Sequence, residues 1–308
     1  MIYNLSMAIP VFPEFKAVDL TMRDEINDFI SRYPLEASEY TFTNIFAFTA
    51  AYDFKISILG SSLIILKNHA PASFFCPVGD APDIDMLFDY LKTRGDKPCI
   101  ERVPESFVKR YIEGSGKYSA IEEREHFDYI HDVKELIGLN GRRFHDKKNK
   151  VNKFRKEYKY EYIPMTAELV EECIKFEDYW CEERDCEKDE GLSKERCAIL
   201  IMLKNFDALG LIGGAIKLDN KIAALTLAEG YLPDTLVIHV EKANPDIPGL
   251  YQIINQEFLM REGIGYAFVN REQDLGVKGM RNAKMSYNPV RFVKKYRVTE
   301  TRQRYGLS

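Results

Sequence analysis

The sequence of 308 residues lacks several features that would assign it to a common class of protein. No apolar stretch approaches the roughly 18 residues that a membrane-spanning helix needs, and the N-terminus has no segment typical of a signal peptide. The six cysteines include no C-x-x-C pair, so we expect reduced thiols, no metal site and a cytoplasmic location. The few histidines are scattered, and no Ser-His-Asp or Cys-His triad is recognisable.

Charge is distributed unevenly along a chain whose net charge is −5. Residues 171–190 are rich in carboxylates, whereas lysine and arginine dominate residues 142–159. Residues 275–299 contain basic side chains and no acidic one. Two basic segments on an acidic protein indicate a local anionic partner rather than a uniformly charged binding surface.

The length and the order of predicted elements suggest two domains, which we place at residues 1–140 and 141–308. The second half is predicted as strand, two helices, three meandering strands, helix, strand, helix and strand, with a tight turn at Asp219 and Asn220. The first half shows a hairpin followed by strand, helix, strand and helix, and a strand at 129–132 closes it. The similar succession predicts a degenerate internal repeat.

Polar side chains gather where two successive strands of the second half end. The apolar run 236–240 ends on Glu241 and Lys242, and Gly249 then opens a helical pattern. A second short strand at 266–269 is followed by polar residues, which include Asn270, Arg271, Glu272 and Asp274. Since ligands are commonly held at the ends of strands in a largely parallel sheet, we expect the functional site here.

Residues 141–158 predict a basic linker helix. Phe144, Val151, Phe154 and Tyr158 fall roughly on one helical face, and lysine and arginine occupy the remainder. Two interpretations remain open at this point. The segment is an ordinary solvated surface helix, or it is a platform for the phosphates of RNA or of lipid headgroups.

The order of elements resembles the acyl-CoA N-acyltransferase (GNAT) fold, and two copies in tandem resemble the Fem peptidyltransferases. Three segments favour the C-terminal domain of phosphatidylglycerol lysyltransferases: GRRFHDKKNKVNKFRKEY, EKANPDIPGLYQIINQEF and YAFVNREQDLGVKGMRNAKMSYNP. The resemblance implies an α/β (α+β) fold of two tandem GNAT-like domains, each a mixed, mostly antiparallel sheet flanked by helices. It also implies an acyltransferase, because characterised members of the wider group transfer an aminoacyl group from a charged tRNA to an amine or a lipid hydroxyl.

The sequence departs from the simple acetyl-CoA enzymes in the loop that binds pyrophosphate. Their glycine-rich loop offers backbone N–H groups at a helix N-terminus, whereas residues 243–250 contain two prolines, Asp246 and only one glycine, Gly249. This disfavours acyl-CoA as the donor without excluding it. We expect no resident cofactor, and either aminoacyl-tRNA or acyl-CoA as co-substrate.

The lipid transferases usually carry a membrane-embedded flippase module, and this sequence has no counterpart of it. A soluble peptide or a small amine is therefore favoured as acceptor over a lipid headgroup. The sequence gives no indication of the oligomeric state.

The resemblance also implies roles for individual residues, because the fourth and fifth strands of a GNAT-like sheet splay apart. Glu241 or Glu229 would take a proton from the acceptor, and Tyr287 would return one to the leaving group. The expected substrate-binding residues are Lys242, Gly249, Asn270, Arg271, Asp274, Arg281, Lys284, Arg142, Lys148 and Lys153. The last five of these are assigned to the phosphates of a large donor.

Most of these residues also have a purely structural interpretation. Glu241 and Lys242 fit a strand-end ion pair, His239 fits a hydrogen-bonded core histidine, and Asn270, Arg271 and Asp274 fit a turn with a helix cap. Three functions remain open: an aminoacyltransferase that uses tRNA, an acyl-CoA-dependent N-acyltransferase, and a non-catalytic RNA-binding or scaffold protein.

Overall fold

The structure, a computed structural model, describes residues 9–301. Its α-helices are, in chain order, α1 Arg23–Arg32, α2 Phe42–Ala47, α3 Thr49–Tyr52, α4 Ile84–Thr93, α5 Glu105–Phe107, α6 Val133–Gly138, α7 His145–Glu157, α8 Val170–Glu183, α9 Glu190–Lys204, α10 Phe206–Leu209, α11 Leu250–Glu262 and α12 Lys278–Met285. Its strands are β1 Lys16–Ala17, β2 Phe54–Leu59, β3 Ser62–Lys67, β4 Ser73–Phe75, β5 Ile100–Pro104, β6 Tyr118–Glu122, β7 Asp128–Asp132, β8 Tyr160–Pro164, β9 Ile212–Leu218, β10 Lys221–Leu232, β11 Thr235–Ala243, β12 Phe268–Asn270, β13 Arg291–Val293 and β14 Lys295–Glu300.

The chain forms two compact units, each built on one seven-stranded sheet. Unit 1 comprises residues up to Phe127 together with those from Val293 onward, and unit 2 comprises Asp128–Phe292. The strand order is β1-β2-β3-β4-β5-β14-β6 in unit 1 and β13-β7-β12-β11-β10-β9-β8 in unit 2. Both sheets are mixed, because one parallel pair, β4 with β5 and β11 with β12, lies among antiparallel pairs.

The two halves of the sequence exchange a strand. Strand β14, from the end of the chain, lies between β5 and β6 in unit 1. Strand β7, from the first half of the chain, pairs with β12 in unit 2. The compact units therefore have different boundaries from the expected 1–140 and 141–308, since β7 was placed with the first half and β14 with the second.

The core of unit 2 shows why its local sequence forms these elements. Helix α11 packs on the sheet beside α6 and α7, and the buried apolar residues Phe144, Val151 and Phe154 confirm the predicted apolar face of the basic segment. Asp219 and Asn220 both have positive φ angles, as a two-residue turn between antiparallel strands requires. The predicted tight turn between β9 and β10 is thus confirmed.

Cys181 and Cys186 form a disulfide in unit 2, with Cα atoms 5.1 Å apart. The expectation that all cysteines are reduced thiols was wrong for this pair. The two residues come together because α8 ends at Glu183 and Asp185 then adopts a left-handed conformation that reverses the chain. The remaining cysteines, which are Cys76, Cys99, Cys173 and Cys197, are free.

Membrane spanning requires a helix that is both long and apolar. Across residues 9–301, none of the helices meets both conditions.

Candidate active site

The parallel pair in unit 2 opens into a gap. The ladder between β11 and β12 covers only three residue pairs, Thr235–Phe268, Leu236–Val269 and Val237–Asn270. Strand β11 continues to Ala243, whereas β12 ends at Asn270. Beyond Val237, no strand in the described residues 9–301 pairs with the edge of β11 that faces β12, and a backbone N–H on such an edge can donate to a ligand. We call this region the β11–β12 gap.

A buried histidine lies at the start of the gap. The register between β10 and β11 shifts from Val240 to Ile238, which places His239 in a β-bulge. Its fully buried ring contacts two carboxylates, with Nε2 2.8 Å from Glu229 and Nδ1 3.0 Å from Glu272. Burial opposes the charged ring, but the two hydrogen bonds outweigh it and raise the pKa of His239 to about 9. The three side chains therefore form a closed ionic triad.

The triad bears on two predictions. His239 is a hydrogen-bonded core residue, as expected from its place in the apolar run. Glu229, the alternative proton acceptor, already binds an imidazolium and is largely buried. A carboxylate held in this way is poorly placed to abstract a proton from an incoming amine.

Glu241 lies further along the gap, between a guanidinium and an amide. Its carboxylate accepts a hydrogen bond of 2.6 Å from Arg271 and one of 2.8 Å from Asn255, which α11 supplies. Glu241 and Arg271 are each only 11% exposed. Nη1 of Arg271 has no hydrogen-bond partner among residues 9–301. Since a carboxylate offers about four acceptor positions, Glu241 retains capacity for a further donor.

Tyr287 is stacked with cations beside Glu241. The guanidinium of Arg271 lies 4.7 Å from the centroid of its ring, and the ammonium of Lys147 lies 4.6 Å from it. Burial raises the pKa of Tyr287 to about 12, so its hydroxyl keeps its proton at neutral pH. Arg271 thus joins Glu241 and Tyr287, two of the predicted catalytic residues, at one place.

The turn after β12 is fastened by two of the predicted binding residues. Asn270 is buried, donates to Asp128 at 3.0 Å and accepts from the backbone N–H of Glu272 at 2.8 Å. Lys284 donates to the backbone carbonyls of Arg271 and Gln273, at 2.5 Å each. Burial lowers the pKa of the Lys284 ammonium to about 8. Both residues therefore shape the loop that carries Arg271 and Glu272.

Asp274 and Arg281 form a closed ion pair. Arg281 donates twice to the buried carboxylate, at 2.8 Å each, and Tyr129 donates to it at 2.5 Å. Burial opposes ionisation, but these hydrogen bonds and the one from Gly276 lower the pKa of Asp274 to about 2. Arg281 is thus paired within the protein rather than free for a phosphate.

The side chain of Lys242 points away from the gap and is surrounded by two carboxylates and an aromatic ring. Its ammonium lies 3.1 Å from the carboxylates of Glu177 and Glu195 and 3.7 Å from the centroid of the Trp180 ring. The lysine and Glu177 are almost completely buried. This arrangement fastens α8 to the end of β11 and leaves no obvious room for a substrate.

Gly249 lies where two helices approach closely. Its φ angle is 93°, and a Cβ atom there would lie 2.9 Å from the carbonyl oxygen of Lys150 and 3.1 Å from Phe154. Only glycine fits both the conformation and the space. The backbone of α7 therefore packs directly against the start of α11.

The basic segment presents most of its charge to solvent. Arg142, Lys148 and Lys153 are exposed, as predicted for a phosphate platform and also for a surface helix. Lys148 donates to Asn140 at 3.4 Å, and Lys153 lies 3.7 Å from Glu157. Such weak, solvated contacts leave these cations available to an anion.

The model of the protein family described as phosphatidylglycerol lysyltransferase, C-terminal, matches residues 30–299 of this chain. The chain belongs to this family. Among curated protein sequences, none matches it. A crystal structure of a conserved protein of unknown function from Bacteroides thetaiotaomicron VPI-5482 is 32% identical, covers 93% of this chain and 99% of that chain, and has a TM-score of 0.85.

More distant structures show the same fold. L-PGS from Bacillus licheniformis is 15% identical, with coverage of 92% of this chain and 93% of that chain and a TM-score of 0.60. FemX is 10% identical, with coverage of 92% and 96% and a TM-score of 0.52. The expected family and the expected tandem GNAT-like fold are confirmed. This protein, as a member of the lysyltransferase family, thus has the fold of an acyltransferase.

Three residues at the site were not among the predicted ones. Asn255 binds Glu241, Glu272 binds His239, and Lys147 lies on Tyr287. Glu272 stood in the polar segment after the strand at 266–269. Asn255 lies in a helix that also contains Gln252, Gln256 and Glu257, so no sequence signal marked its amide as the one that binds Glu241. Lys147 could not be told from its neighbours on α7 by sequence.

Proposed function

We propose that this protein transfers an aminoacyl group from tRNA to an amine or hydroxyl acceptor at the β11–β12 gap. The packing of α7 over the start of α11 is the observation that carries the choice of donor. At Gly249 the carbonyl oxygen of Lys150 lies 2.9 Å from the position of a Cβ atom, so α7 packs against the start of α11, the place at which the resemblance to GNAT enzymes puts the pyrophosphate of acyl-CoA. The same helix offers exposed cations to a polynucleotide instead.

The chemistry uses three side chains of the gap. The acceptor nitrogen or oxygen attacks the ester carbonyl carbon, and Glu241 takes the proton that the acceptor loses. Nη1 of Arg271, together with backbone N–H groups of β11, donates to the developing oxyanion. The ester C–O bond then breaks, and Tyr287 gives a proton to the leaving ribose oxygen. The proton on Glu241 balances the one given up by Tyr287, and exchange with water restores both groups.

The family and the geometry support this proposal to different degrees. Membership of a lysyltransferase family supports acyl transfer, and the choice of tRNA as donor follows from the sequence resemblance to transferases that use charged tRNA. The acceptor is proposed by class only, as a small amine, a peptide amine or the hydroxyl of a lipid headgroup. The remaining predicted residues, Lys242, Asn270, Asp274, Arg281 and Lys284, act in this proposal by supporting the gap.

A ligand-dependent shift in melting temperature tests the donor without an acceptor. A ligand that binds only the folded protein stabilises it by RT ln(1 + [L]/Kd). We expect a rise in Tm with tRNA that grows when the tRNA is aminoacylated, and none with acetyl-CoA or longer acyl-CoAs. A shift with acyl-CoA alone would instead favour the acyl-CoA-dependent N-acyltransferase. Equal shifts with charged and uncharged tRNA would favour a non-catalytic RNA-binding protein.

A further inference from the structure

Lys147 differs from the other basic residues of α7. Lys148, Lys150, Lys153, Arg155 and Lys156 are exposed on this helix, whereas Lys147 is half-buried. Its ammonium reaches inward to the ring of Tyr287, which lies at the reacting centre. Lys147 is thus the lysine of the basic helix that points toward the gap, whereas the exposed cations of α7 face the solvent.

The charge of Lys147 is not neutralised by the protein. Among residues 9–301, no carboxylate lies within 4.0 Å of its ammonium. Arg271, on the same aromatic ring, is by contrast paired with Glu241 at 2.6 Å. Burial and then repulsion from Lys150 and Arg271 lower the pKa of Lys147. Asp146 attracts the ammonium at longer range, but no carboxylate of the described residues is in direct contact with it.

A partly desolvated ammonium without an anion is costly, and the cation–π contact with the face of Tyr287 offsets only part of this cost. An anionic ligand would supply the missing charge and hydrogen-bond acceptors. A phosphate oxygen suits a compact ammonium on a flexible stem, which binds phosphate as a point charge.

We propose that Lys147 binds the terminal phosphodiester of the polynucleotide donor, with the guanidinium of Arg271 adding to the positive potential behind it. This inference rests on the proposed function and names one subsite of it. The aminoacyl ester is carried by the ribose of the last nucleotide, and the phosphate of that nucleotide is one ribose away. A phosphate at Lys147 therefore places the ester carbonyl beside Tyr287 and Glu241, while earlier phosphates meet the exposed cations of α7.

A short RNA separates this subsite from the general attraction of the basic helix. The trinucleotide CCA supplies the terminal phosphodiesters but is too short to cover all of α7. We expect Lys147→Met to weaken its binding about tenfold and to reduce the slope of log K against log salt by roughly one phosphate contact, or about 0.7. Lys147→Arg should retain most of the affinity, because it keeps the charge.

Lys148→Met is the matched control, because it removes a neighbouring exposed cation from the same helix. Its effect on CCA binding should be less than about twofold, although both variants should weaken binding of full-length tRNA. Fluorescence anisotropy gives the dissociation constants, and Tm confirms that each variant is folded. Lys147→Gln replaces the methionine variant if that one does not fold.

The outcomes distinguish the subsite from the donor assignment. Equal CCA affinity for the wild type and Lys147→Met, equal losses for the Lys147 and Lys148 variants, or tRNA binding without CCA binding would overturn the subsite alone. Binding of neither RNA would overturn the proposed donor as well. A selective loss on removal of the Lys147 charge supports the subsite.

Discussion

The two units have the same strand order, and different side chains occupy the opening between the two parallel strands of each sheet. In unit 1 the parallel ladder of β4 and β5 covers only Phe74–Ile100 and Phe75–Glu101, and the strands then separate. The hydroxyl of the fully buried Tyr40 occupies this opening, where it donates to the carbonyl of Arg102 and accepts from the N–H of Cys76, at 2.9 Å each. The opening in unit 1 is therefore sealed by the protein itself.

In unit 2 the corresponding opening holds Glu241 and Arg271, and Nη1 of Arg271 has no acceptor within the described residues 9–301. The difference teaches that the splayed strands alone do not make a site. A single tyrosine satisfies the freed backbone groups in unit 1, whereas unit 2 leaves donors for a ligand. Four experiments test this contrast.

The largest effect should come from cutting the chain at the exchanged strands. A fragment of residues 133–292 keeps α6 but lacks β7, whose residues Tyr129, Ile130 and His131 are completely buried, whereas a fragment of residues 128–292 retains both. We expect only the longer fragment to show cooperative thermal unfolding by circular dichroism, because β12 loses its antiparallel partner in the shorter one. If both fragments unfold cooperatively with similar Tm values, β7 is dispensable to unit 2.

His239 of unit 2 and His126 of unit 1 should respond to pH with opposite sign. His239 in unit 2 has a pKa of about 9, against 6.5 when free. Its stabilising contribution, roughly 3 kcal/mol, is complete below pH 6.5 and is lost as the pH rises through 9. In unit 1, burial lowers the pKa of His126 to about 3, so its contribution is lost as the pH falls below 6.5. His131 of unit 2 has the same sign as His126.

Urea denaturation at a series of pH values measures this difference. The free energy of unfolding of the wild type should fall as the pH rises from 6.5 to 9, and that of His239→Gln should not show this fall. His126→Gln should instead reduce the loss below pH 6.5. A free energy difference between the wild type and His239→Gln that stays constant from about pH 6 to 9 would contradict the ionic triad.

Glu241→Gln should lower the rate of aminoacyl transfer to a small amine by about a hundredfold, because the amide cannot accept the proton. The initial rate with charged tRNA is the measurement, taken well below the Tm of the variant, because the amide keeps one acceptor oxygen for Arg271 or Asn255 but not one for each. Glu101→Gln is the control, because this buried carboxylate beside the opening in unit 1 binds Lys67 at 2.8 Å. Equal rate losses in the two variants would remove the distinction between the units.

Tyr40→Phe should have the smallest effect, a loss of about 1–3 kcal/mol in the free energy of unfolding, because Cys76 and Arg102 each lose a buried hydrogen-bond partner. Transfer activity should be unchanged. Tyr90→Phe is the matched control, because its hydroxyl has no hydrogen-bond partner in the part of the chain that the structure describes. Denaturant titration of both variants shows whether the seal contributes to stability, and equal free energies would argue that it does not.

Local patterns anticipated much of the site. The run that ends on Glu241, the strand that precedes Asn270 and the apolar face of the basic helix were all readable from periodicity. Arg281 and Lys284 were assigned from the sequence to the phosphates of a donor. Arg281 and Lys284 turn inward to a carboxylate and to backbone carbonyls. Sequence cannot supply this orientation, because α12 has no buried apolar residue to define its inner side.

The strand at 129–132 shows a second limit of prediction from sequence. Its existence was predictable from its residues, but its partner is β12, which lies far along the chain. Hydrogen bonding between strands is satisfied equally well by a near or a distant partner, so a strand in sequence does not reveal the sheet that it joins. The expected boundary at residue 140 differed from the compact units for this reason.

The amino-acid sequence by itself determined the kinds of elements, the Asp219–Asn220 turn, the basic helix and the resemblance to the lysyltransferase family. The tertiary structure alone decided the exchange of β7 and β14, the sealing of one opening by Tyr40 and the pairing of each buried charge. Helical and strand periods depend on neighbouring residues. The burial of a charge and the choice of its partner depend on residues more than a hundred positions apart, as for Tyr129 and Asp274, and only the folded chain brings these together.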